Sequence, residues 1–363
     1  MGTLATREVD QSDCVYFDHR LGGVARAIFG NVQTLNMRVP EEILDCVAYI
    51  GFRQEADETD QIRLIGTGFF VSIPSVISGV SYVYLATAKH CVVKPLAMGE
   101  LFIRLNTIDG TCEYLRLDSR NWLFSEDEAS DIAVLPLAPD RNRYKYKHLD
   151  TGMIGTQEKL NELRIGIGEE AVVAGLFTRR AGGQQNLPIV RFGNISAMPD
   201  ERLADSDTGL GYHAYLIEAR SIGGLSGSPV FAYLGPDRVS PDGNINLTQR
   251  VMILIGLIRG HWEHREPGRA ISAFSDELEK VNWGIASVTP ATELAAILYG
   301  EKLMNGRANK DKEMLEKDAP VNDSALEEDY PRFEEALKRV LAADPTEVKR
   351  EIAKQKEENK KDR

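Results

Sequence analysis

The chain has 363 residues, 43% of them hydrophobic, which is enough apolar material for one large core or two smaller ones. A formal net charge of −12 gives it an acidic surface that repels phosphate backbones and excludes nucleic acid as a general partner. No window approaches 18 uninterrupted apolar residues, so nothing is expected to span a membrane.

Cys14, Cys46, Cys91 and Cys112 form neither a disulfide framework nor a CxxC knuckle, so no metal site is expected. The opening run MGTLATREVDQSD has no basic stretch leading into an apolar one, and a signal peptide is not expected. Met1, Gly2 and Thr6 match only the short myristoylation pattern. The expectation is a soluble, reduced, cytoplasmic protein.

After an N-terminal extension, residues 1–38, the chain turns β-rich. Short runs of β-branched and aromatic residues alternate with turn-forming clusters, at Cys46–Phe52, Ile62–Ile73, Tyr82–Thr87, Leu101–Asn106 and Ile132–Leu137. The pattern resumes at Ala171–Phe177, Tyr215–Glu218, Pro229–Tyr233 and Met252–Ile258. Strands this short and this dense argue for barrels or a sandwich and against a parallel βαβ fold. Thr289 and Pro290 then read as a helix entry, with Leu294, Ile297 and Leu298 on one face. Residues 305–329 read as a charged linker and 330–363 as a charged helical tail. Of the last 55 residues 29 are charged, too many to build a second core. The tail is read as a solvated helix, or else as a helix for a protein partner or self-association.

Three segments carry candidate chemistry. LATAKHC (85–91) runs an apolar strand into small residues and delivers His90 at its end; a histidine there can equally be structural. SDIAVLPL (130–137) sets Asp131 at the edge of a core, suited to accept an imidazole N–H or simply to cap a strand. GGLSGSPVF (223–231) flanks Ser226 with glycines that permit a sharp turn, in which the N–H groups of Gly224 and Ser226 can converge as an oxyanion hole requires. The order His, Asp, Ser differs from that of the α/β-hydrolases and subtilisins, and Ser228 breaks the G-x-S-x-G elbow.

These segments resemble those of chymotrypsin/trypsin-like serine proteases. TAKHC is similar to T/S-A-x-H-C, SDIAVLPL to D-I-A-L/V-L, and GGLSGSPVF to G-D/N-S-G-G-P-V/L. GTGF (66–69) resembles the turn entering the His-bearing hairpin, and WGIASVTP (283–290) the closing strand and helix entry. The resemblance implies a mostly β fold of two six-stranded antiparallel β-barrels with C-terminal helices, spanning a protease domain at 39–304. It implies a serine endopeptidase acting on a protein or peptide substrate through His90, Asp131 and Ser226, with no metal or organic cofactor. A catalytically silent protease-fold scaffold regulated through its tail is the alternative. An esterase on the same triad is a third reading.

The sequence departs from the family in three places. Leu225 stands where secreted trypsins carry the aspartate that pairs with a freed N-terminus, so activation of that kind is not expected. Thr67 and Gly68 lie where the partner of Cys91 would be, so the histidine-loop disulfide is not expected. Ser228 replaces a glycine, which requires a negative φ there. By alignment Arg220 falls near the base of the specificity pocket and His261 on a strand lining it. A cationic pocket would suit Asp or Glu, unless Arg220 points to solvent or pairs with Glu218.

Overall fold

A computed structural model describes residues 39–54, 61–178, 181–204, 209–219, 224–235, 251–264 and 281–318. The N-terminal extension and the tail beyond 318 lie outside the described residues. A short helix α1 (Glu41–Asp45) opens onto β1 (Val47–Gln54), β2 (Arg63–Pro74) and β3 (Ser81–Thr87). Helix α2 (His90–Leu96) follows, then β4 (Gly99–Asn106), β5 (Cys112–Arg116), β6 (Leu123–Phe124) and β7 (Ala133–Pro136). These seven strands form one antiparallel sheet in the order β5-β4-β1-β2-β3-β7-β6.

Helix α3 (Gln157–Glu162) connects to the second unit. Its strands are β8 (Glu170–Leu176), β9 (Pro188–Ala197), β12 (Tyr215–Glu218), β13 (Pro229–Leu234), β14 (Val251–His264) and β15 (Val281–Pro290). They close into a six-stranded barrel, while β10 (Leu203–Ala204) and β11 (Gly211–Tyr212) pair apart from it. The fold is mostly β with two antiparallel units and helices at the C-terminal end, as expected, but only the second unit is a closed six-stranded barrel; the first is a seven-stranded sheet rather than a six-stranded barrel. All nine sequence-predicted runs are strands. Among the missed ones, β6, β10 and β11 are only two residues long, and β9 has no strict alternation, exposing Phe192 beside Asn194 and Ser196.

Each unit has its own core. Phe70, Leu85, Leu101 and Ile103 fill the first, and Val173, Ile217, Val230 and Ile255 the second. A third cluster lies between them, where Tyr49 and Phe69 of the sheet meet Val172, Phe231 and Leu254 of the barrel. Each fully buried side chain of this size contributes about 1.5–3 kcal/mol relative to exposure. The units are therefore packed against one another.

Helix α4 (Ala291–Leu298) presses Ala291, Leu294, Ile297 and Leu298 onto this shared core, the face expected from the sequence. The stretch from 305, expected as a linker, is instead helical: α5 runs Glu301–Asp318. Its polarity misleads, because it is held by polar contacts. Asp311, only 7% exposed, accepts hydrogen bonds from Ser75 Oγ and Tyr82 OH. Arg307, one turn earlier, donates to Tyr84 OH at 3.0 Å and to the Leu298 carbonyl at 2.8 Å. The helix thus lies against the face of β3 that carries Tyr82 and Tyr84, with Leu303 joining the shared cluster. No helix among the described residues is long and apolar enough to cross a membrane.

Candidate active site

The pairing of β3 with β7 explains why His90 and Asp131, 41 residues apart, meet. Thr87 at the end of β3 lies opposite Ala133 near the start of β7. The chain leaving β3 therefore passes the chain entering β7. His90 opens α2, whose first N–H groups have no partner within the helix. Asp131 supplies one: its Oδ1 accepts from His90 N at 2.9 Å, while its Oδ2 lies 2.7 Å from His90 Nδ1. The carboxylate grips the backbone and the Nδ1 edge of the ring together. The Asp131 side chain is 10% exposed and that of His90 41%, so the carboxylate is buried behind an accessible imidazole.

Burial disfavours the charged ring, but the contacts with Asp131 and Cys91 outweigh it and hold the His90 pKa up at about 10. The sign of the consequence is fixed. A protonated His90 cannot take a proton, so a reaction using it as base accelerates as pH rises from neutral toward the alkaline range. The expected profile of covalent labelling climbs between pH 7 and 10; a plateau already reached at pH 6.5 would contradict it. The stability contributed by the His90–Asp131 pair runs oppositely, being complete below the ordinary histidine pKa and lost as pH passes the raised value.

Ser226 sits in a four-residue turn closed by the Ser228 N–H on the Leu225 carbonyl at 2.9 Å. Two bonds fix the turn in place. Thr67 N donates to the Ser226 carbonyl at 2.9 Å, and Gly227 N to the Ile258 carbonyl at 2.8 Å. Thr67 does more than this. Its carbonyl accepts from Thr87 Oγ1 at 2.8 Å, and its hydroxyl donates to the Gly224 carbonyl at 3.3 Å while accepting from Leu176 N at 3.2 Å. One buried residue thereby ties the serine turn to the end of β3, three residues before His90. The sequence marks residues 66–69 as a turn, whereas they lie within β2, paired to β1 and β3; nothing in the spacing marks the Thr67 hydroxyl as a junction.

Gly224 (φ +102°) and Gly227 (φ +82°) adopt backbone conformations that favour glycine, and both are in tight contact. A Cβ at Gly227 would fall 2.1 Å from the Thr67 carbonyl oxygen. Ser228 is not among the positive-φ residues, so the condition for replacing glycine there is met. Its fully buried hydroxyl instead abuts Gly175, where a Cβ would lie 2.2 Å from Ser228 Oγ. Leu225 is 2% exposed and packs at the same spot, in an apolar setting unsuited to receiving a charged N-terminus.

Cys46, Cys91 and Cys112 are free thiols, with Cys91 beside Gly66. His261 lies in β14 opposite Ala286; Arg220 lies outside the described residues. The sequence reading also missed two cations around the Asp131 approach. Lys89 Nζ donates to the Glu128 carbonyl at 3.0 Å, and Arg259 to the Ala129 carbonyl at 2.8 Å. Both steady the loop that delivers Asp131. Among the described residues no group of three or more His, Cys, Asp or Glu could hold a metal ion.

No family model matches the chain, and no curated protein matches it. Many solved structures are similar to it, two of them as follows. The MamO protease domain from Magnetospirillum magneticum (apo form) is 15% identical with a TM-score of 0.40, covering 70% of this chain and 96% of its own. Deg5 is likewise 15% identical with a TM-score of 0.40, covering 72% of this chain and 92% of its own.

Proposed function

We propose that this protein is a serine endopeptidase in which Ser226 is the nucleophile, His90 the general base and Asp131 its orienting carboxylate. The observation that carries this reading is the two-point grip of Asp131 on His90, 2.9 Å to the backbone and 2.7 Å to Nδ1, beside a serine turn pinned through Thr67. A carboxylate serving only as a structural cap has no need to select the ring tautomer as well.

Ser226 Oγ attacks the scissile carbonyl carbon as its proton passes to His90 Nε2, and the carbonyl π electrons move onto oxygen. The Gly224 and Ser226 N–H groups receive that oxyanion. Its collapse breaks the C–N bond, with the amine leaving on the proton held by His90. Water then attacks the acyl-enzyme by the same route and restores Ser226. Asp131 stays ionised throughout and stabilises the imidazolium. In this reading Arg220 and His261 line the primary specificity pocket, giving a preference for acidic residues at the cleavage site.

A fluorophosphonate probe tests the reading. One adduct is expected, mapping to Ser226 by peptide mass and absent from Ser226→Ala and His90→Ala. A well-folded wild type that takes no adduct would leave the protease-fold scaffold in its place.

A further inference from the structure

Arg104 lies in β4 of the first sheet and is only 4% exposed, yet no carboxylate among the described residues pairs with it. A guanidinium taken out of water needs its donors satisfied, and this one turns them on the other unit. Its Nη1 donates to the Ala181 carbonyl at 3.0 Å and its Nη2 to the Gly182 carbonyl at 2.7 Å, with the Gly183 carbonyl at 3.4 Å. Its Nε meets Cys112 Sγ at 3.0 Å, and its guanidinium lies over the rings of Tyr49 and Tyr114. The turn it grips is tight, because Gly182 has φ +79° and a Cβ there would strike the Gln185 carbonyl.

The grip is one of several anchors that the first sheet places along the exit of β8. Thr67 Oγ1 holds Leu176 N, and Tyr49 OH holds the Phe177 carbonyl at 3.0 Å. Asn106 pairs with Asn186, and the Asn186 side chain donates to the Arg104 carbonyl at 2.7 Å. Thr178 sits between the Tyr49 and Arg104 anchors, and Gly224 rests directly on it: a Cβ at Gly224 would lie 2.4 Å from Thr178 Oγ1. The backbone that presents the Gly224 N–H is thus supported by a segment held from the opposite unit.

We infer that Arg104 is a positioning residue for the oxyanion site, acting on Gly224 by anchoring the 181–183 turn beside Thr178, on which Gly224 rests. The inference rests on the proposed function for its chemistry. It also supplies what Leu225 removes. With no acid at that position to draw in a freed N-terminus, the serine turn takes its support from the first sheet.

The test compares full-length wild type, Arg104→Ala and Arg104→Lys, the second keeping the charge but losing the planar fork. Amide exchange over the serine turn is expected to quicken in both variants, while peptides from β1 and β2 keep wild-type protection. Fluorophosphonate labelling of Ser226 should slow by about tenfold to a hundredfold, as when an oxyanion donor is misplaced. The shape of its pH profile should stay unchanged, because His90 and Asp131 are untouched. Guanidinium ion at millimolar concentration should restore labelling of Arg104→Ala toward the wild-type rate. Wild-type exchange in the serine turn of folded Arg104→Lys would overturn the inference whether or not the protein is labelled. A wild type that takes no label would instead remove the proposed function, and the exchange measurement would still decide the role of Arg104.

Discussion

Replacing Asp131 with asparagine is expected to lower kcat by about 10⁴-fold while leaving the fold in place. The geometry dictates why a near-isosteric change is so damaging. The carboxylate accepts twice, from His90 N at 2.9 Å and from the Nδ1 edge of the ring at 2.7 Å. An asparagine has one acceptor and one donor for these two places. If its oxygen keeps the backbone N–H, its amide faces Nδ1 and forces the proton to Nε2, where the base must be free. If its oxygen faces Nδ1, its amide confronts the N–H of His90 and the start of α2 is left without its acceptor. Either way one half of the grip is lost. The variant also loses the carboxylate that raises the His90 pKa, so the rise of its residual activity with pH should move toward the ordinary histidine range. A folded Asp131→Asn enzyme within tenfold of wild type would show that Asp131 does not select the tautomer.

The second large effect is expected at Gly227. An alanine there must adopt φ near +82° and place its Cβ 2.1 Å from the Thr67 carbonyl oxygen and 2.4 Å from Thr87 Oγ1. Neither neighbour can retreat easily, since Thr87 Oγ1 donates to that same carbonyl and Thr67 N holds Ser226. Left-handed strain and overpacking together amount to about 3 kcal/mol, which a shift in denaturation midpoint will report. Relief of the clash requires the turn that carries Ser226 to shift against Thr67 and Thr87. A displacement of about 1 Å lowers the labelling rate roughly a hundredfold. Wild-type labelling in Gly227→Ala would mean that the turn tolerates the displacement and that Ser226 needs no such exact seat. Stability and chemistry are coupled at this residue because the serine turn lies against the strand that delivers the histidine.

The mostly β fold class, many of the strands with buried faces, and the segments that bear His90, Asp131 and Ser226 are legible in the amino-acid order. The physical reason is that these signals are local. Alternating apolar residues favour a strand, and glycines at 224 and 227 permit the positive φ that a sharp turn needs. Residues whose role is set by a distant partner leave no such mark. Thr67 reads as one small residue in a glycine-flanked run, and its junction exists only once β2, β3, β8 and the serine turn are assembled around it. Arg104 reads as a charge in a strand, yet tertiary structure buries it and aims it at three carbonyls of the other unit. Composition placed residues 305–318 in a linker because polar helices and polar linkers look alike in one dimension. They become distinguishable when Asp311 and Arg307, one helical turn apart, meet Tyr82 and Tyr84, which alternate onto one face of β3. Hydrophobic periodicity writes itself into the chain, whereas a polar contact between units depends on where folding has carried its partner.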